Sequence, residues 1–181
     1  MESTIYDFKN GDYLSLFNAA LLAEIIIIFL LYYTNIFGNP KTLKKWYEKY
    51  KLSAVIADVF ILMIGLIIGK YIWANLNIEY NFIKFLLLIL VIQIIHDILF
   101  YILFYCIISK GKNDMIDLFK DYAEEVSYKA ILGDSFMIVI TVIFFYFFLK
   151  LEFNHNIELC VLLMYLLPYI LHTKDYEENN S

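Results

Sequence analysis

Gln93, His96 and Asp97 interrupt the middle of FIKFLLLILVIQIIHDILFYILFYCII, an otherwise apolar stretch that runs from Phe82 to Ile108. An imidazole beside a carboxyl group can pass a proton or hold a cation, and at 100° per residue Gln93 and Asp97 lie on one side of a helix with His96 flanking them. The stretch has 27 residues. A helix rises about 1.5 Å per residue and the hydrocarbon core is about 30 Å thick, so such a stretch crosses a bilayer with some tilt. Splitting it at His96 leaves 14 residues before and 11 after Asp97, both too short to span, so the polar group has no route out of the membrane. Glu24 is confined in the same way, because the rest of its block, Ile25 to Phe37, is only 13 residues. Insertion scales put a charged group at that depth at a cost of at least about 2.5 to 3.5 kcal/mol, so these residues must face protein or trapped water.

Asp58 and Asp134 complete the candidate set of Glu24, Asp58, Gln93, His96, Asp97 and Asp134. Both have an interfacial alternative. The second block still offers Val59 to Leu76 without Asp58, and Asp134 with Ser135, following Gly133, can cap the start of a helix. Counted from the inner boundary at about 1.5 Å per residue, Asp134 lies roughly 6 Å deep, Asp58 roughly 9 Å, Asp97 and His96 roughly 16 to 18 Å, and Glu24 roughly 20 Å. The outer half has little beyond Asn18, Thr141 and a snorkelling Lys70. This ladder predicts a pocket open to the inner side with Glu24 as its floor, rather than a continuous pore.

Four readings of the set stay open. It can serve as a proton relay or ion site for transport. One histidine with several carboxylates can hold a hard or borderline metal ion. A histidine and a carboxylate can shuttle protons on a lipid or sterol. The polar groups can also simply lock helices together by hydrogen bonds. No H-E-x-x-H, Walker or Rossmann glycine loop, G-x-S-x-G or T-V-G-Y-G is present, so no cofactor and no metal is expected and no motif supports an enzyme.

The elements that must position these residues follow from hydropathy. The chain is 62% hydrophobic, well above the roughly 45 to 50% of soluble domains. That excess falls in blocks at about 14–37, 52–74, 82–108, 130–149 and 157–171, the last one short and carrying Pro168. An all-α polytopic membrane domain of five spans is predicted. All 14 basic residues are lysines. They concentrate in GNPKTLKKWYEKYK after the first block and in Lys110, Lys112, Lys120 and Lys129 after the third, while the connections around Asn75, Asn77 and Glu79, and around Glu152 and His155, are nearly bare. The positive-inside rule then puts the N-terminus outside and the C-terminus in the cytoplasm, with Trp46, Tyr47, Tyr50, Tyr71 and Trp73 in interfacial aromatic belts.

The 113–129 connection repeats Met115, Phe119, Tyr122 and Val126 at helical spacing against an acidic face. It reads as an amphipathic helix on the inner surface, with Asn113 or Asp114 as its cap. Gly65 and Gly69 form a G-x-x-x-G that lets a neighbouring helix approach Asp58's span. Cys106 and Cys160 fall at opposite faces of the bilayer, too far apart for a disulfide. The acidic N-terminal segment lacks a signal's basic region, so the first helix is expected to stay attached. Gly38, Asn39 and Pro40 break the first helix, and the tail 172–181 is expected to be disordered. No internal repeat or second domain is read. The bilayer is the expected partner, transport through so few helices implies a homo-oligomer, and no nucleic-acid partner is expected because orientation accounts for the lysines.

QIIHDILFY, followed by GKNDMIDLFKDYAEE and AILGDSFM, resembles multi-pass membrane proteins of giant DNA viruses, over most of the chain from the second block onward. The abundance of Ile, Asn, Lys, Tyr and Phe, whose codons are A/T-rich, fits that resemblance. It implies a viral membrane setting, in the virion or in host endomembranes, and brings no catalytic residues with it.

Overall fold

A computed structural model describes residues 4–9, 11–34, 36–38, 40–76 and 78–173. Asn39 of the expected break, Asn77 of the second connection and 174–181 of the tail lie outside the described residues. The helices are α1 (Asp12–Tyr33), α2 (Lys41–Tyr50), α3 (Leu52–Asn75), α4 (Phe82–Phe100), α5 (Asp114–Val126), α6 (Lys129–Phe148) and α7 (Phe153–Leu171); a π-helical turn, Tyr101–Cys106, continues α4. Among the described residues there is no strand, and α1, α3, α4 with its π-helical turn, α6 and α7 are long and apolar enough to cross a membrane. The fold is that of an all-α polytopic membrane protein.

The first span ends at Tyr33, sooner than its apolar block, where Thr34 turns its hydroxyl back to the Leu30 carbonyl at 2.6 Å. The last span is longer than its block. It starts at Phe153 and has 19 residues, and Pro168 falls in its final turn, where it leaves the Met164 carbonyl without its helical N–H donor.

α1 is apolar on every side and forms the centre of the bundle. Its Ala19, Ala20 and Ala23 are fully buried, and such small side chains let neighbouring backbones come close. α1, α3, α4 and α6 form a ring in which α1 touches α3 and α6, and α4 touches the same two from the opposite corner. α7 lies against α1 outside that ring. At one face Asn18 donates to the Asn156 carbonyl at 2.7 Å, and Lys70 donates to the Phe8 carbonyl. The opposite face carries α2 and α5, and there Lys51 reaches the Leu171 carbonyl at 3.2 Å.

Two expectations change here. The lysine-rich segment after the first block is not a loop but the helix α2, whose Trp46 and Tyr47 are buried while Lys41, Lys45, Glu48 and Lys49 stay exposed. α2 docks on α5: the Glu125 carboxylate accepts from the Lys41 and Thr42 amides at 2.8 Å each, capping the start of α2 across the gap between the two helices. Asn113 caps α5 through its side chain, accepting from Met115 N at 2.9 Å and Ile116 N at 3.2 Å.

The chain also contains an internal repeat. α1 ends at Tyr33 and the π-helical turn at Cys106, and α2 starts at Lys41 and α5 at Asp114, the same offset of 73 residues both times. α5 is three residues longer than α2, and from there the offset is 76: Lys51 (φ 47°) and Ser127 (φ 53°) close the two surface helices with the same left-handed turn. The spans that follow read Ala54-Val-Ile-Ala-Asp58-Val-Phe60 and Ala130-Ile-Leu-Gly-Asp134-Ser-Phe136. Exchanging the units α1–α3 and α4–α6 maps the ring of helix contacts onto itself. The two units run in the same sense, since the surface helices that follow their first spans, α2 and α5, pack on one another at one face. Unequal surface helices and apolar spans, in which almost any alignment matches many positions, hide the repeat in the linear sequence.

Candidate functional site

On α4 the spacing of four residues stacks Gln93 over Asp97. Gln93 Nε2 donates to Asp97 Oδ1 at 2.8 Å, and His96 Nδ1 lies 3.2 Å from the same oxygen. Asp97 Oδ2 is enclosed and has no hydrogen-bond partner.

Asp58 projects from α3 beneath α2, where Trp46 Nε1 donates to its Oδ2 at 3.0 Å and the Tyr47 hydroxyl at 3.5 Å. Glu24 comes from α1 and is fully enclosed; neither of its carboxyl oxygens has a hydrogen-bond partner, and the polar groups facing it are the Asp58 carboxyl and the Tyr47 hydroxyl. Burial, and then the Glu24 and Asp58 carboxyls beside it, push the Tyr47 phenol well above its ordinary range. Tyr122 on α5 is pushed up in the same way, first by burial and then by Asp134 and Asp58. Both phenols therefore remain protonated donors at any physiological pH.

Asp134 faces Asp97 and Asp58. It is not a helix cap, because α6 begins at Lys129 and Asp134 lies more than a turn inside it. Asp58, Gln93, His96, Asp97 and Asp134 all line one cavity of about 1400 Å³, together with Trp46, Tyr47 and Tyr122. Glu24 lies behind its wall rather than on its surface, so the expected floor is a sealed acid one layer deeper. The cavity occupies the half of the bundle next to α2 and α5, and residues from both surface helices and their connections line it.

No family model, curated protein or solved structure matches the chain.

The repeat organises the acids. Glu24 and Asp97 are related by the offset of 73 that joins α1 to α4, and Asp58 and Asp134 by the offset of 76 that joins α3 to α6. Each unit thus supplies one carboxyl from its first span and one from its second. Among the described residues, no three His, Cys, Asp or Glu side chains come close enough together to hold a metal ion. In the other half of the bundle the polar groups are tied to the protein itself, with Thr141 donating to the Met137 carbonyl at 2.8 Å and Asn18 to Asn156.

Trp46, Tyr47 and Tyr122 are the site residues that hydropathy does not reveal. Trp46 and Tyr47 were expected in an interfacial belt, but both turn inward, as does Trp73, whose ring meets Phe85 at 5.6 Å. The detectable signal was the pairing of an aromatic residue with an acid twelve residues later, Trp46 with Asp58 and Tyr122 with Asp134.

Proposed function

We propose that this chain is a membrane cation-binding element that exchanges protons with its ligand, working as a homo-oligomer to carry that cation across the membrane. The observation that carries the reading is that, among the described residues, Asp58, Asp97 and Asp134 line one cavity and form no ion pair with a lysine, although Lys120 and Lys129 border the same cavity; only His96 pairs with one of the three. Negative charge is costly at this depth, so protons or a bound cation must balance these carboxyls. His96 lies within reach of Asp97 and supplies an imidazole that can pass a proton to or from that carboxyl.

The hydrogen bonds favour this reading over a purely structural one. Gln93, His96 and Asp97 bond to one another within α4, and Asp58 accepts from Trp46 and Tyr47 of the surface helix α2. A network evolved to lock spans together would cross between them. The face bearing α2 and α5 carries nine of the lysines, from Lys41 to Lys51 and Lys110 to Lys129, which by the positive-inside rule makes it cytoplasmic, in a virion or host endomembrane if the viral resemblance is followed.

The test is flux in proteoliposomes loaded with a pH-sensitive dye and given an imposed sodium or potassium gradient. The wild-type chain is expected to move protons against the cation, and Asp97→Asn and His96→Ala are expected to abolish that movement while eluting as folded protein. Proton movement that is indistinguishable from that of empty liposomes overturns the reading.

A further inference from the structure

The cavity is far larger than an inorganic ion requires. About 1400 Å³ exceeds the roughly 300 to 1000 Å³ typical of small-molecule sites. Asp58, Asp97 and Asp134 line only part of the wall; most of the rest is apolar and aromatic, with Lys120, Glu124 and Lys129 contributed from α5 and the start of α6. Phe119 meets Trp46 at 4.6 Å and Phe100 at 5.3 Å between ring centroids, and all three rings line the cavity. Such faces attract cations as well as apolar surface.

The wall is also open on its side. Ile98 and Tyr101, on α4 and its π-helical turn, and Leu132 on α6 line the cavity and are at the same time 50%, 50% and 61% exposed. At about 1.5 Å per residue these positions lie within the hydrocarbon half-thickness on the side of the surface helices, so this rim meets lipid tails. Behind Asp58, Glu24 adds a further carboxyl that is fully enclosed. With Lys120 and Lys129 as the cationic residues of the lining, the site therefore combines an excess of acidic over basic groups, aromatic walls and an opening to the lipid phase.

Resting on the cation reading above, we infer that the ligand is an amphiphilic ammonium ion. Its charged nitrogen occupies the part of the cavity lined by Asp58, Asp97 and Asp134, and its apolar body runs along Phe100 and Phe119 to leave between Ile98 and Leu132. The same chemistry occurs in a free lipophilic amine and in the amino headgroup of a lipid.

The experiment measures binding of radiolabelled dodecylammonium to the full chain in phosphatidylglycerol nanodiscs, which carry no amine. Dodecylammonium is expected to bind saturably and to be displaced by unlabelled dodecylammonium but not by dodecanol or dodecanoate. Asp58→Asn and Asp134→Asn are expected to weaken it about tenfold or more, the size of one lost charge-assisted interaction. Displacement by added phosphatidylethanolamine assigns a lipid headgroup, and failure of that lipid to displace assigns a free amine; both support the ligand class. Equal displacement by dodecanol, or binding no greater than that of empty nanodiscs, overturns it. Because the alcohol comparison uses wild-type protein, it decides even if a variant fails to fold. If binding is absent while sodium- or potassium-driven proton flux persists, the ligand class fails and the cation reading stands; if both are absent, both fail.

Discussion

Asp58 and Asp134 hold the same place in two halves of one chain. Each lies seven residues after a non-glycine residue with positive φ, Lys51 or Ser127, and each follows a surface helix that lays an aromatic ring, Trp46 or Tyr122, toward the cavity. Because the positions are equivalent, replacing either carboxyl should act alike. Asp58→Asn and Asp134→Asn are each expected to reduce proton-linked cation uptake about tenfold or more, the size of one charge-assisted interaction, and the double variant to lose it. Liposome flux measured side by side checks this; a large loss at one position with none at the other would contradict the functional repeat.

The bond from Trp46 to Asp58 ties α2 to α3 in a largely enclosed setting. Trp46→Phe keeps most of the ring contact with Phe119 and removes the donor. A loss of about 1 to 3 kcal/mol is expected, because the acceptor keeps only the longer approach of the Tyr47 hydroxyl. Thermal unfolding in detergent reads it, with Lys45→Ala on the exposed side of α2 as the substitution expected to change nothing measurable.

Gly65 and Gly69 separate on inspection of their surroundings. A Cβ on Gly69 would meet Ile89 Cδ1 at 2.0 Å, whereas one on Gly65 meets nothing within 4 Å. Only Gly69 brings α3 close to α4. Gly69→Leu should therefore overpack that seam and cost about 1 to 3 kcal/mol, while Gly65→Ala should be neutral or stabilising by up to about 1 kcal/mol from helix propensity. Melting temperatures of the two variants test the contrast.

Alkaline pH should weaken the fold through its buried phenols. Burial raises Tyr47 and Tyr122 above the ordinary phenol value, so as pH climbs past about 10 the unfolded chain gives up these protons before the folded one does. The stability they contribute is complete below that pH and is lost as pH rises through the folded values. Tyr47→Phe and Tyr122→Phe should each flatten the fall in melting temperature between about pH 9 and pH 11.

Sidedness can be read by labelling single cysteines in a Cys106→Ser, Cys160→Ser background. Lys45 and Asn75 are both exposed and lie at opposite ends of the bundle. In intact cells, a membrane-impermeant thiol reagent should modify Asn75→Cys and spare Lys45→Cys until the membrane is opened. The reverse pattern would invert the proposed orientation.

Hydropathy alone determines that this chain is all-α with five spans, because helix rise and bilayer thickness are one-dimensional constraints that any long apolar block must satisfy. The same arithmetic keeps Glu24, Gln93, His96 and Asp97 within their spans, since no shift of a boundary can free them. The amphipathic pattern of 113–129 and its Asn113 cap were legible for a local reason: a surface helix has two unlike faces and a start that needs a hydrogen-bond acceptor. Rotation was not legible. Spans that are apolar all round carry no angular signal, so only packing could decide that Asp58, Asp97 and Asp134 turn to a common cavity while Glu24 is sealed behind it. The tertiary structure likewise decided that Trp46 and Tyr47 lie under α2 against an acid rather than in a lipid interface, and that two halves of unequal length are one unit used twice. Those relationships join residues far apart in the chain, and contacts at that range leave little trace in local composition or periodicity.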